Sequence, residues 1–307
     1  MSGPVDERDL RFAARTGLGM DVIQGREADV GGTRVVRVLP TKGRRTIGGW
    51  CFVDLMIPPD ADEPHPLEVG PHPHIGLSTV TWLFEGEALH GDSLGTEQVI
   101  RPGQLNLMTA GRGIAHSELS SESGVHGAQM WIAQPEATRH GRPRFEHHSS
   151  LPKVDLVNGE ATLLVGSLGG RNSPALVDSE LVGAEIALRS GICEVELEFG
   201  FEYGVVPIDV PVRVGEEIVE PGWLGLVEDA PEGIRLESKS GGGRVMLVGG
   251  RPLGEEIEMW WNFVARTKEE LTEAWEDWER RDTDRFGLVP SRLARIEAPR
   301  PPWLPGG

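Results

Sequence analysis

The chain has 307 residues, 38% of them hydrophobic and 25% charged, with a formal net charge of −18. That length covers about two ordinary domains, and the composition argues against a disordered or fibrous chain. The charge divides as −5 over residues 1–150 and −13 over the rest with no basic patch, which argues against direct binding to nucleic-acid phosphates.

The opening segment, MSGPVDERDLRF, is charged and has no apolar core, so it does not read as a secretory signal. No apolar run reaches the ~18 residues of a membrane span. The two cysteines, Cys51 and Cys193, have no CxxC spacing and form no disulfide framework. A cytoplasmic protein is expected. With 41 Gly and 23 Pro, many short elements joined by turns are expected, not a helical bundle.

Residues 33–57 read as strands, TRVVRVLP and then TIGGWCFVDLMI. Residues 58–73 read as a loop rich in Pro and acid. LSTVTWLFE (77–85) is a strand with β-branched and aromatic residues. Residues 87–90 continue it beyond Gly86, and GDSLG (91–95) is a turn. Residues 97–100 form a strand, Pro102-Gly103 turns it, and LNLM (105–108) and AQMWIA (128–133) follow, with a GRG turn (111–113) between them. Turn signals every 8–12 residues predict an all-β sandwich or barrel.

Residues 135–160 read as a linker. The second half has the same texture, with ATLLVGSL, AEIALRS, ICEVELEF, YGVVPIDVPV, IVEPGWLGLV, GIRLES and RVMLVGG as strands. VIRPGQLNL (99–107) is repeated as IVEPGWLGL (218–226) at an offset of 119 residues. The reading is two β-barrels in tandem. Thr267 and Glu270 form a capping box, and Leu271, Ala274, Trp275 and Trp278 recur on one helical face, a packing face. The tail, 296–307, is Pro-rich and expected to be extended. The expected domains are 1–145, 146–265, and a C-terminal helix and tail over 266–307.

All nine histidines lie between His65 and His148. His65, His126, His140, His147 and His148 stand in polar or Pro-rich surroundings and read as solvated loop residues. His72 and His74 flank Pro73, and in an extended segment side chains at i and i+2 share a face. His116 and Glu118 repeat that spacing after a Gly-rich turn. If the two strands are neighbours, three imidazoles and one carboxylate converge. Such a set suits a divalent transition metal and leaves open positions on an octahedral ion.

These residues resemble a known family. PHPHIGLSTVTWLFEGEALHGDSLG, followed by PGQLNLMTAGRGIAHSE, resembles the signature of the pirins, cupin-superfamily proteins with two jelly-roll barrels. GGRPLGEEIEMWWNFVARTKEELTEAWEDW resembles the family's C-terminal stretch, where a barrel strand leads into a helix. The resemblance implies a metal in the N-terminal barrel on His72, His74, His116 and Glu118. It implies iron first, with manganese, nickel, copper, cobalt or zinc also accepted. Where an activity is known in the family it is quercetin dioxygenation, and other members are regulators that bind proteins. Ile75 stands where pirins usually have Arg, and Ser78 where they usually have Glu. His90 matches the family's H-x-D-S segment and reads as a turn anchor, or else as a pocket residue. No histidine is available to repeat the site in the second barrel, where His116 aligns with Arg235 or, with a one-residue gap, Leu236.

The expected function is quercetinase-type dioxygenation of a small aromatic, flavonol-like substrate by dioxygen. Glu118 would act as the catalytic base, and Trp82, Met108, Met130 and Trp131 are candidates to line the pocket. The alternative is a non-enzymatic regulator with a structural or redox-sensing metal and a protein partner. Another cupin activity on a small acid or sugar is a third reading. A monomer is expected.

Overall fold

The computed structural model describes residues 20–58, 66–227 and 232–305. His65 and the segment MSGPVDERDLRF lie outside the described residues. Among the described residues no helix is long and apolar enough to cross a membrane.

The chain forms two compact units. One comprises residues 26–40, 50–150 and 253–307. It contains a seven-stranded sheet in the order Arg144–His148, Leu105–Thr109, Leu77–Glu85, His126–Ala133, Trp50–Met56, Thr33–Leu39 and Arg26–Val30. A four-stranded sheet accompanies it, in the order Glu68–His74, Ile114–Ser120, Ala88–Asp92 and Glu97–Ile100. All these pairings are antiparallel.

The other unit repeats the plan. Its larger sheet runs Met20–Gln24, Trp223–Val227, Glu202–Pro207, Gly243–Gly250, Leu181–Leu188, Gly159–Leu168 and Lys153–Leu156, with Arg171–Asn172 added to Gly159–Leu168. Its smaller sheet runs Ile192–Glu196, Gly233–Ser238, Val212–Val214 and Glu217–Val219. The two expected barrels thus take the form of two jelly-roll pairs of sheets.

The internal repeat has a structural cause. Leu105–Thr109 and Trp223–Val227 hold the same place in their sheets, second from one edge. Each is entered through a Pro-Gly turn whose glycine has positive φ, 82° at Gly103 and 74° at Gly222. An L side chain is strained in that conformation, so Gly recurs there.

Three expectations change. Residues 58–73 are not all loop, because Glu68–His74 is a strand and contains the whole HPH motif. Pro71 and Pro73 are tolerated because this strand is a sheet edge, where a missing N–H costs no ladder bond. Residues 135–160 contain two strands, Arg144–His148 and Lys153–Leu156, one in each unit. Arg144–His148 covers the sheet edge beside Leu105–Thr109, a role its polar sequence does not advertise. Finally, Met20–Gln24 pairs residue for residue with Trp223–Val227, so this early strand builds the later unit, while 253–307 belong with 50–150.

The helix Lys268–Glu279 starts as read, with the Thr267 side chain accepting from Glu270 N–H at 3.2 Å. Leu271, Ala274 and Trp278 are buried with Ile75, Phe263 and Phe286. The Trp278 and Trp275 indoles donate to the carbonyls of Ile296 and Ala298 at 2.9 and 3.4 Å. The tryptophan stripe is a packing face that ties down the tail. A short second helix, Thr283–Phe286, follows.

Candidate metal centre

Two neighbouring strands carry the centre. Glu68–His74 pairs antiparallel with Ile114–Ser120, and His72 stands directly across from His116. Strand alternation puts His74 on the same face as His72. The three rings close on one another, with centroids 4.3 Å apart for His72 and His116, 5.0 Å for His72 and His74, and 4.9 Å for His74 and His116. Each offers one ring nitrogen within 4.8 Å of the other two. All three are buried.

Their hydrogen bonds fix the tautomers. His72 Nδ1 donates to the Gly70 carbonyl at 2.9 Å, and His74 Nδ1 to the Asn262 carbonyl at 3.0 Å. A carbonyl can only accept, so Nδ1 carries the proton in both rings and Nε2 presents a lone pair. His116 is set by a longer chain. Asp92 Oδ2 accepts from His90 Nε2 at 3.2 Å, and His90 Nδ1 stands 3.4 Å from His116 Nδ1. His116 thus turns Nδ1 to His90 and Nε2 to the other two rings.

His74 Nε2 and His116 Nε2 are 3.0 Å apart. Two lone pairs at that distance repel unless a cation lies between or beside them. A proton is a poor one here. Burial pulls the His72 imidazole down to about 4 and those of His74 and His116 well below their usual value. Three neutral, buried, mutually facing Nε2 atoms are a donor set for a divalent transition ion.

Glu118 keeps its alternation with His116, the two standing opposite His90 and Asp92 in unbroken register. A bulge between His116 and Glu118 sets Glu118 opposite Val69. Its carboxylate forms a second close group, with His116 and His90. Oε1 accepts from Gln129 Nε2 at 3.4 Å. Burial pushes the carboxyl up, more than the nearby His90 and the Gln129 bond pull it down. A cation alongside would reverse that balance.

His90 takes the turn-anchor role and is not among the described residues lining the cavity. It anchors the turn through Asp92, whose Oδ1 accepts from Leu94 and Thr96 N–H at 2.8 and 3.0 Å, and its other nitrogen supports His116. Burial alone would raise the Asp92 carboxyl, but bonds from His90 and Thr96 outweigh it and hold it low. Asp92→Asn keeps the turn acceptor but removes the carboxylate that holds His90 Nε2, and with it the support His90 gives His116. The expected result is metal affinity ~10–100-fold weaker, read by competition with a chelator. Unchanged affinity would show that His116 needs no such support.

The remaining histidines depart from the loop reading. His126 is buried, edge-on to Phe84 at 4.9 Å. His147 and His148 sit half-buried on a strand, at 2.7 Å from Asn106 Oδ1 and 3.2 Å from Glu146 Oε2 respectively. Only His140, of the four described, is exposed.

A cavity of about 370 Å³ opens on His72, His74 and Glu118. Trp131 lines it, stacked on Phe52 at 4.0 Å and 15° and edge-on to His74 at 5.3 Å. Trp82 and Met130 do not line it. By strand register they point to the opposite face of the sheet from Gln129 and Trp131. Met108 packs instead with Ala110, Ile114 and Phe145. A hairpin of Glu258–Trp260 and Phe263–Ala265 brings Trp261 and Asn262 to the cavity. Trp261 has φ 53°, a left-handed conformation that is unfavourable for a bulky side chain. Asn262 is 188 residues from His74, and no spacing rule could have linked them. Ile75 packs in the apolar cluster under the helix, and Ser78 donates to Thr109 Oγ1 at 3.0 Å. Neither is among the described residues lining the cavity.

In the other unit, the pair standing across the equivalent strands is Cys193 and Leu236, where this unit has His72 and His116. Both are core residues, and burial pushes the Cys193 thiol up to about 11. Apolar packing fills the place of the imidazoles.

The histidine burial has a pH consequence. These imidazoles are held neutral in the fold and titrate near 6.5 when unfolded. Their contribution to stability is therefore fully present above about 6.5 and lost as pH falls from there toward about 4. The metal-free protein should lose Tm across that window in thermal melts, and a flat Tm would contradict the neutral assignment.

Comparison with known proteins agrees with this architecture. Residues 32–132 match the Pirin family model, and 187–286 match that of the Pirin C-terminal cupin domain. A Pseudomonas aeruginosa protein named "Putative quercetin 2,3-dioxygenase" is 45% identical over 286 residues, 92% of this chain and 90% of that one. A pirin-like protein of Caulobacter vibrioides is 35% identical over 279 residues, 84% of this chain and 92% of that one. The crystal structure of a quercetin 2,3-dioxygenase from Acinetobacter baumannii superposes with a TM-score of 0.87 at 41% identity, covering 93% of this chain and 96% of that one. With both cupin domains matched, and with relatives at this identity along most of its length, the chain belongs to the pirin family.

Proposed function

We propose that this pirin is a metal-dependent dioxygenase of the quercetinase type. One divalent ion, iron first among the candidates, is held by His72, His74, His116 and Glu118. The observation that carries the reading is a three-histidine cluster of which His72 and His74 stand, with Glu118, on the wall of a cavity lined by stacked aromatic rings. The likeness to a quercetin 2,3-dioxygenase at 41% identity supports it. When bound, the ion supplies Lewis acidity that lowers the pKa of a flavonol 3-hydroxyl, together with open coordination positions.

The chain's own residues do the rest. Asn262 and Gly70 hold two of the rings in the ligating tautomer, and His90 supports the third. Gln129 engages Glu118 Oε1 and orients the carboxylate that takes the 3-hydroxyl proton. Trp131, backed by Phe52, offers a flat face to the flavonol rings. The flavonolate then reacts with dioxygen, the heterocycle opens, and carbon monoxide leaves. A structural or sensing metal would sit in a closed site, and the cavity beside the histidines favours a substrate instead.

Anaerobic titration of the metal-loaded protein with quercetin, followed by oxygen, tests this. A flavonolate absorbance shift and then about one equivalent of carbon monoxide are expected from the one-site chemistry. Bound metal with no spectral shift and no oxygen uptake would overturn the reading in favour of a regulator.

A further inference from the structure

One polar feature of the cavity runs away from the metal cluster. Gln129, Asp54 and Arg37 stand in a single cross-strand row, Gln129 opposite Asp54 and Asp54 opposite Arg37. All three line the cavity. Neighbouring strands are ~4.8 Å apart, so the row reaches ~10 Å from Gln129, which touches Glu118, to Arg37. Around it the wall is apolar, formed by Val35, Phe52, Met56 and Trp131.

The Asp54 side chain is 3% exposed and is gripped at both oxygens by Arg37, from Nε at 2.8 Å and Nη2 at 2.7 Å. Each carboxylate oxygen keeps a second lone pair. The Arg37 charge is spent on Asp54, and its guanidinium lies over the Phe52 ring at 4.4 Å. A buried pair of this kind is weak support for a fold, since apolar replacements of similar volume are often neutral. A ligand anchored beside Glu118 and stacked on Trp131 extends along this row. The next strand carries Arg26 opposite Arg37, exposed and not among the described residues lining the cavity, so within the cavity the ligand meets an acceptor whose charge Arg37 balances.

We propose that Asp54, held by Arg37, determines specificity. It accepts a hydrogen bond from a hydroxyl on the substrate's distal ring and rejects a carboxylate there. The proposal rests on the dioxygenase reading for the anchored end of the substrate.

The test is Asp54→Asn, which keeps the shape, puts an N–H where an acceptor stood, and frees the Arg37 charge. Three probes are used: a flavonol with hydroxyls on the pendant ring, one with none, and one with a carboxylate on that ring. Binding is followed by tryptophan quenching and turnover by oxygen uptake. The ratio of kcat/KM for the hydroxylated over the bare flavonol should fall about 10-fold, through KM, as expected for loss of a buried hydrogen bond to a charged group. Binding of the carboxylate probe should rise by about the same factor. An unchanged ratio with no gain for the carboxylate would overturn the proposal. If Asp54→Asn does not fold, Arg37→Met with Asp54→Leu removes the pair without stranding a charge. It should lose the hydroxyl preference and gain nothing for the carboxylate, and a retained preference would overturn the proposal. Should wild type bind these probes but consume none, the dioxygenase reading fails, while the binding preferences still decide the role of Asp54. Binding of none of them by wild type overturns both.

Discussion

His116→Ala removes the metal. Bound ion is expected to fall from about one equivalent to below about 0.1, and turnover by at least ~10³-fold, because both the Lewis acid and its positioning go together. His116 is the ring on which the centre turns. It faces His74 Nε2 at 3.0 Å, stands across from His72, and is the end of the Asp92–His90 chain. The stability loss should be smaller than that of an ordinary buried truncation. Loss of the ring opens a small void, but it also ends the repulsion between facing lone pairs. The metal-free variant should therefore melt no more than a few degrees below the metal-free wild type. The rise in Tm on adding metal, which wild type should show by mass action, should disappear. A variant that still gained Tm with metal would place the ion elsewhere.

Glu118→Gln separates binding from chemistry. Gln is nearly isosteric and keeps an oxygen for the Gln129 amide, now 3.4 Å from Glu118 Oε1. The three imidazoles are untouched, so bound metal should persist at reduced affinity. Turnover should drop ~10²–10⁴-fold, the usual worth of a positioned general base. The anaerobic flavonolate spectrum should weaken in parallel, because Gln cannot take the 3-hydroxyl proton. Full activity in this variant would remove Glu118 from the role of base. Loss of all metal would make it an essential ligand instead, and the two outcomes are told apart by metal content.

Much of this centre was legible because strands obey a two-residue period. HPH and HSE each put two donors on one face, and the turn residues between them return the chain to its neighbour. The prolines that make residues 58–73 look like a loop are the reason that strand had to be an edge. The Pro-Gly turns announced the repeat, since both glycines adopt a conformation other residues resist. What was not legible depends on register between distant strands. The bulge that sets Val69 rather than Gly70 opposite Glu118 has no sequence signature. Nor does the placement of Asp54 between Gln129 and Arg37, or of Asn262 under His74. Trp82 and Met130 read as pocket residues because they are large and apolar, but only alternation relative to Gln129 says which face they take. Met20–Gln24 could have joined either unit by composition, and a full ladder with Trp223–Val227 settles it.

The most direct test is metal analysis of untagged protein, as purified and after anaerobic reconstitution, with His116→Ala alongside. The account predicts about one divalent ion per chain in wild type, in line with a single three-histidine site, and almost none in the variant. Wild type that holds no metal even after reconstitution would contradict it, since three imidazoles would then be buried face to face with nothing to join them.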